Sequence, residues 1–190
     1  MHCTYIWEII PLNQPSVLRY CPKCGNSSEY ESSDCFRVNA NQNLIDVWLI
    51  YQCKRCKNTW NMEIISRTNA STIEKELYMK FLKNDKELAK QFAFDLSIHI
   101  KNKTVLCYEG VTYEISGQRF SLLEVNTPIE IKLITEFPVE LRLDKVISRQ
   151  LGISREQVKK LVKEGKILTA KTKDICKAKI KNGMIINIHP

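Results

Sequence analysis

The sequence has few of the residues from which most catalytic sites are built. Its 190 residues include only three histidines, His2, His99 and His189, and only six glycines. Two of the histidines are at the ends of the chain, and the glycines form no phosphate-binding loop. No Cys/His or Ser/His/Asp constellation can be assembled from this set. The sequence therefore predicts a protein that is not an enzyme, with no evident small-molecule substrate.

Long apolar runs and targeting signals are absent as well. No segment reaches the roughly 18 consecutive apolar residues that a membrane-spanning helix needs. The N-terminus lacks a basic region followed by an apolar core and a small-residue cleavage site. We therefore expect a cytoplasmic protein. Its 190 residues are enough for two small domains, or for one domain and an appendage. In that reducing compartment, the eight cysteines are not expected to form disulfides.

Four of the cysteines instead follow the spacing of a metal site. The pairs are Cys21-Pro-Lys-Cys24-Gly and Cys53-Lys-Arg-Cys56-Lys. Two such turns supply four sulfur ligands to a tetrahedral ion and leave no coordination position open for catalysis. The first turn also resembles a rubredoxin knuckle, so iron remains an alternative, but no flavin or electron-transfer motif accompanies it. We predict one structural zinc ion bound by Cys21, Cys24, Cys53 and Cys56, with Cys35 as a possible substitute ligand.

The pattern of the first 138 residues predicts an α+β protein. Strand-like segments around a polar turn at residues 39–43 predict a hairpin, which makes residues 1–66 a zinc ribbon with an N-terminal extension. Residues 71–100 have helical periodicity and predict a helical hairpin. A capping box of Ser71 and Glu74 would begin its first helix, Asp85 would cap the second, and His99 would lie on the second helix face. Residues 67–138 would thus comprise this hairpin and a β-rich connector.

Residues 139–190 predict a small α/β module. Apolar residues at helical spacing mark a helix that Gly152 ends, and a capping box of Ser154 and Gln157 begins the next helix. Short strands follow. This module contains 13 Lys and Arg residues against 5 Asp and Glu, whereas residues 1–138 contain 16 of each. Such a local excess is typical of a nucleic-acid-binding module.

The basic residues of this module are its candidate binding residues. A lysine-rich solvated surface is the alternative, but the neutral remainder of the chain opposes it. Exposed aromatic residues that could stack on bases are absent, which favours helical RNA over single strands. The predicted RNA-binding residues are Arg142, Lys145, Arg149, Ser154, Arg155, Lys159, Lys163 and Lys177.

Two resemblances extend these predictions. Arg142-Leu-Asp-Lys-Val, Ser154-Arg155, Gly165-Lys-Ile and Asn182-Gly-Met-Ile-Ile resemble the RNA-binding domain named after ribosomal protein S-four. That resemblance implies a helix pair that contacts structured RNA through Arg142, Lys145, Ser154, Arg155 and Lys177. The whole chain also resembles a bacterial family known only as a domain of unknown function, through motifs such as Asp46-Val-Trp-Leu-Ile-Tyr and Thr59-Trp-Asn. This second resemblance implies no activity.

Two functions follow as hypotheses. The first is a zinc protein that binds structured RNA or the ribosome through its basic C-terminal module. The second is a zinc-ribbon module that binds a protein partner or a component of transcription, with no direct role for RNA.

Overall fold

The computed structural model describes residues 3–122, 126–169 and 174–189. In these residues the backbone forms two five-stranded sheets and five α-helices, which is consistent with the predicted α+β class. None of the described helices is long and apolar enough to cross a bilayer. The chain divides into two compact units, residues 13–111 and residues 1–12 together with 112–190. We call these the cysteine unit and the terminal unit.

The cysteine unit contains an antiparallel sheet with strand order β5-β4-β3-β2-β6. Its strands are β2 (Ser16–Cys21), β3 (Asn26–Asn41), β4 (Leu44–Cys53), β5 (Thr59–Asn69) and β6 (Val105–Cys107). Strand β4 shows why the sheet forms, because every second residue from Ile45 to Cys53 is buried. The predicted hairpin is confirmed, since β3 and β4 pair up to Asn41 and Leu44 on either side of its turn.

Three helices pack against this sheet. They are α1 (Lys75–Leu82), α2 (Lys86–Phe94) and α3 (Leu96–Lys101). The rings of Phe36 on β3 and Phe81 on α1 meet edge to face at 5.0 Å between centroids. Asn84, in the turn between α1 and α2, accepts a hydrogen bond from the Phe36 backbone N–H at 2.6 Å. Aromatic packing and this bond attach the helices to β3.

The helix caps differ in part from the prediction. Asp85 caps α2 as predicted. The predicted capping box of Ser71 and Glu74 is wrong, because the side chain of Asn69 accepts the Ser71 N–H and forms a 3₁₀ turn over residues 70–72 instead. Helix α1 then begins at residue 75 without a side-chain cap. The second predicted helix is interrupted by Asp95, whose carboxylate caps α3.

His99 is a structural residue of the cysteine unit. Its side chain is buried on α3, with Nε2 3.0 Å from the Ala93 carbonyl and Nδ1 3.0 Å from the Thr104 hydroxyl. Burial lowers the pKa of its imidazole, which keeps the ring neutral near pH 7. Because both ring nitrogens are hydrogen-bonded, His99 is not placed to act as a metal ligand or a base.

The terminal unit contains a mixed sheet with strand order β7-β1-β8-β10-β9. Its strands are β1 (Cys3–Pro11), β7 (Tyr113–Ser116), β8 (Ile129–Ile134), β9 (Ile167–Leu168) and β10 (Met184–Ile188). Strands β1 and β8 are parallel, and the other pairs are antiparallel. Helices α4 (Leu143–Leu151) and α5 (Arg155–Lys163) share one buried apolar core with this sheet. Gly152 ends α4 at φ +65°, and the predicted capping box of Ser154 and Gln157 is present.

The two units differ from the three predicted segments, residues 1–66, 67–138 and 139–190. The prediction places residues 3–11 in the ribbon, but strand β1 pairs with β7 and β8 in the other sheet. The predicted connector is divided, since β6 joins the cysteine unit while β7 and β8 join the terminal unit. The alternation of a strand reports which of its faces is buried and does not specify its partner.

Substitution of Trp7 tests the assignment of β1. Trp7 is fully buried in the core of the terminal unit, so Trp7→Ala should destabilise that unit by about 3–5 kcal/mol. In native-state hydrogen exchange, amides of β8 and β10 should exchange faster than in the wild type, while those of β3 and β4 should keep their rates.

Ile6→Ala is the matched control for this experiment. Ile6 lies on the same strand with its side chain half exposed, so the change should cost less than about 1 kcal/mol. Faster exchange confined to β3 and β4 in the Trp7 variant would show that β1 supports the cysteine unit instead.

Candidate metal centre and basic surface

The two Cys-x-x-Cys motifs lie together at one end of the cysteine unit's sheet. The first forms the turn between β2 and β3, and the second follows β4 and leads into β5. Because Tyr30 on β3 pairs with Cys53 on β4, the two turns are brought to the same end. The four sulfur atoms of Cys21, Cys24, Cys53 and Cys56 lie within 4.8 Å of one another.

The spacing of these sulfurs fits a tetrahedral ion. Cys21 Sγ is 3.5 Å from Cys56 Sγ, and Cys24 Sγ is 3.9 Å from Cys53 Sγ. A metal–sulfur bond of about 2.3 Å in a tetrahedron places sulfurs about 3.8 Å apart. Cys21 and Cys53 are buried, and the other two are half-buried. The four cysteines could therefore hold one metal ion, as the spacing of the motifs predicts.

The two Cys-x-x-Cys turns, which we call the metal-binding turns because they carry the candidate ligands, share one backbone hydrogen bond and one left-handed residue. The N–H of Gly25 donates to the Cys21 carbonyl at 2.9 Å, and the N–H of Lys57 donates to the Cys53 carbonyl at the same distance. Gly25 has φ +70° and Lys57 has φ +58°. Glycine adopts this left-handed conformation without strain, whereas lysine does not. The second turn therefore carries backbone strain that the hydrogen bonds of the site must offset.

Hydrogen bonds around the sulfurs set their protonation. The pKa of Cys21 is lowered to about 6, mainly by a hydrogen bond with the Tyr30 hydroxyl. A hydrogen bond with Cys56 is the largest cause that raises the pKa of Cys24 to about 12. A metal that binds all four thiolates must displace the protons that remain, so its affinity should increase with pH. Arg19, stacked 4.0 Å over the Trp60 ring, places a positive charge near the Cys21 thiolate.

The basic residues of the second turn are paired with acidic residues of β3. Lys54 Nζ lies 2.6 Å from a carboxylate oxygen of Glu29, and Lys57 Nζ lies 2.9 Å from one of Glu31. The contact with Lys54 lowers the pKa of Glu29. The charges of these two lysines are therefore offset by acidic neighbours.

The terminal unit has a concave pocket with a volume of about 590 Å³, which we call the basic pocket. It contains five of the eight predicted RNA-binding residues together with three acidic residues. Its charged lining residues are Arg142, Arg155, Lys159, Lys163, Lys177, Asp144, Glu156 and Asp174.

Asp144 organises the two arginines of the basic pocket. Its side chain is only 5% exposed, at the first turn of α4. Arg142 donates to it from Nε at 3.2 Å and Nη2 at 2.9 Å, and Arg155 donates from Nε at 3.0 Å and Nη2 at 2.7 Å. The Arg142 Nη2 group also donates to the Cys176 carbonyl. The carboxylate thus links α4 to the first residue of α5.

The other three predicted RNA-binding residues lie outside the basic pocket. The Arg149 guanidinium donates to the Tyr113 carbonyl at 3.0 Å. The Ser154 hydroxyl accepts the Gln157 N–H, so it serves the helix cap. Lys145 is exposed on α4. Lys171 and Lys173, which the sequence adds to the basic segment, lie outside the described residues.

The sequence did not reveal the residues that support either site. Asp144 stands two positions after Arg142 in the chain, but its burial depends on packing in the terminal unit. Tyr30 and Arg19 are distant from Cys53 and Trp60 in sequence and meet them through the sheet. The position of Asp144, two residues after Arg142 and eleven before Arg155, was the one available signal for this contact.

Comparison with known proteins gives a family and no function. No curated protein and no solved structure matches the chain significantly. The model of one family, described as a protein of unknown function, DUF1062, matches residues 38–173. This match covers most of the chain and parts of both units, and it agrees with the resemblance to an uncharacterised family. The chain therefore belongs to the DUF1062 family of proteins of unknown function.

Proposed function

We propose that this protein binds structured RNA or the ribosome through the basic pocket and uses a zinc ion to stabilise the cysteine unit, with no bond chemistry of its own. The observation that carries the proposal is the convergence of Arg142, Arg155, Lys159, Lys163 and Lys177 around one concave surface. Such clustered cations neutralise phosphates and release the counterions of RNA.

The lysines of the basic pocket are more available than Lys54 and Lys57 of the second metal-binding turn. Among the described residues, Lys159 and Lys163 have no carboxylate within salt-bridge distance, and Lys177 has one at 3.6 Å, from exposed Asp174. The Nζ atoms of Lys54 and Lys57 each lie within 2.9 Å of a glutamate carboxylate oxygen. An RNA that approached the turns would have to displace these partners. The comparison favours the basic pocket as the RNA-binding surface.

The shape of the pocket favours helical RNA. Its described lining contains no aromatic side chain on which an unpaired base could stack. Arginine and lysine around a concavity instead suit the phosphates that border a groove of A-form RNA. The proposed ligand is therefore a structured, double-helical region.

Zinc is the metal that best suits the four cysteines. Four sulfurs at tetrahedral spacing fill the coordination sphere, which is the arrangement of structural zinc sites. Iron binds the same ligand set, and the resemblance of the first turn to rubredoxin keeps it as an outcome of the test. Metal binding would be coupled to folding of this end of the sheet.

Removal of two ligands tests the metal centre. Cys21→Ser with Cys53→Ser should reduce the metal content from about one ion per chain to near zero and loosen the metal-binding turns. Mass spectrometry gives the content and identity of the metal, and hydrogen exchange reports the turns. Cys35→Ser is the matched control, since Cys35 is exposed and lies outside the cluster. A double variant that keeps its metal would refute the site.

Charge reversal tests RNA binding. Lys159→Glu with Lys163→Glu should weaken binding to a ribosomal RNA duplex at least tenfold. The slope of log K against the logarithm of the salt concentration should become shallower by about one to two, because about two phosphate contacts are lost. Filter binding across a series of salt concentrations measures both. Lys75→Glu with Lys86→Glu, on the helices of the cysteine unit, makes the same charge change elsewhere. The proposal fails if both double variants bind alike, or if the wild type does not bind at low salt.

A second candidate function is binding of a protein partner by the cysteine unit. Leu18 and Tyr20 are exposed on one face of β2, and Leu18 pairs directly with exposed Val105 on β6. Three neighbouring apolar side chains on one sheet face, with exposures of 44%, 62% and 64%, favour a contact surface.

Substitution of this face distinguishes the second candidate from the first. Leu18→Ser, Tyr20→Ser and Val105→Thr together should abolish recovery of a partner in pull-down experiments with the full chain while leaving RNA binding intact. Ile100→Ser is the control because Ile100 is an exposed apolar residue on α3, outside the sheet face. Equal recovery of the same partners by the triple variant and by the wild type would exclude this surface.

A further inference from the structure

We propose that Asp144 holds Arg142 and Arg155 as a preformed receptor for one phosphate group. The inference rests on the proposed function in that this phosphate belongs to the backbone of the bound RNA. Asp144 is then a positioning residue, and the two arginines are the residues that contact the ligand.

The hydrogen bonds of the two guanidinium groups leave corresponding edges free. Each arginine uses its Nε and Nη2 groups on Asp144. The Nη1 groups have no hydrogen-bond acceptor among the described residues, and the two side chains are 47% and 50% exposed. Each arginine therefore presents fixed donors to the pocket, whereas an unpaired arginine would have to be ordered by the ligand.

The two arginines are close enough to share one anion. Both Nη2 atoms lie within 3 Å of the same oxygen, Asp144 Oδ2. Two cations would separate without an anion between them, and the buried carboxylate offsets one of the two charges. The Cys176 carbonyl further restrains Arg142. A phosphate above the pair can accept charge-assisted hydrogen bonds from the free Nη1 group of each guanidinium.

The helix ends add to the same potential. Arg142 is the N-cap residue of α4, and Arg155 is the first residue of α5. Each helix has nine residues, and its aligned peptide dipoles place partial positive charge at its N-terminal end, where the arginines meet. Lys159 lies one turn further along α5 and also lines the pocket. The site thus combines oriented donors with a local positive potential.

A purely structural role for Asp144 makes a different prediction from a positioning role. If Asp144 only joins α4 to α5, its neutralisation would add one positive charge to the pocket, and a folded variant would bind anions as tightly as the wild type or tighter. If Asp144 positions the arginines, its neutralisation weakens binding despite the added charge. The sign of the change therefore separates the two roles.

The experiment compares Asp144→Asn with Glu164→Gln in the full chain. Both changes raise the net charge by one, but Glu164 lies 3.9 Å from Lys160 and does not line the basic pocket. Inorganic phosphate is titrated while the Nε–H signals of Arg142 and Arg155 are followed by NMR, and binding of duplex RNA is measured alongside. We expect Asp144→Asn to weaken both ligands about tenfold and Glu164→Gln to change them less than about twofold. Equal or tighter binding by folded Asp144→Asn would overturn the proposal.

A second variant covers loss of folding in the first. Arg142→Lys with Arg155→Lys keeps both charges and removes the planar pairs of donors. It should weaken phosphate binding about tenfold with little change in the salt dependence of RNA binding, and unchanged phosphate binding would overturn the receptor.

The two proposals can fail separately. Saturable phosphate binding that depends on Asp144, without RNA binding, would support the receptor and refute the proposed function. RNA binding that is unchanged by Asp144→Asn, with no phosphate-induced shift of the arginine signals, would refute the receptor and leave the proposed function standing.

Discussion

The parallel pairing of β1 with β8 is the constraint on which the organisation of the chain depends. It joins residues 3–8 to residues 129–134 across most of the sequence. Strand β1 also pairs with β7, so the Leu12 N–H meets the Thr112 carbonyl at 2.9 Å. The intervening residues 13–111 begin and end close together, and there the side-chain amide of Asn13 donates to the Gly110 carbonyl. The cysteine unit is thus an insertion in the sequence of the terminal unit, and it has its own sheet, its own apolar core and the candidate metal site.

The two candidate sites use opposite electrostatic arrangements. At the candidate metal centre, Arg19 and the Tyr30 hydroxyl lie beside Cys21 and stabilise its thiolate. Two lysines of the second turn, Lys54 and Lys57, are paired with glutamates. In the basic pocket, one buried carboxylate, Asp144, serves two guanidiniums, which leaves an excess of positive charge. A ligand is therefore expected at the pocket and a structural role at the metal centre.

The parts of the structure that the sequence predicted are those that local interactions specify. Two Cys-x-x-Cys turns, the β3–β4 hairpin and the Ser154–Gln157 capping box each involve residues close in the chain. The predicted capping box at Ser71 is absent because the Asn69 side chain accepts the Ser71 N–H, which the Glu74 side chain would accept in a capping box. Such competition is resolved by small differences in free energy that a residue pattern does not report.

The sequence by itself determined the α+β class, the four cysteines that could hold a metal ion and the location of the excess positive charge. Only the tertiary structure decided that β1 belongs with β8, because apolar alternation marks a buried face without naming a partner. It also decided which basic residues share a surface. Arg142 and Arg155 converge since Asp144 is buried between their helices, whereas Arg149 turns to the Tyr113 carbonyl. Burial depends on the packing of segments that are distant in the chain, and local sequence patterns do not specify that packing.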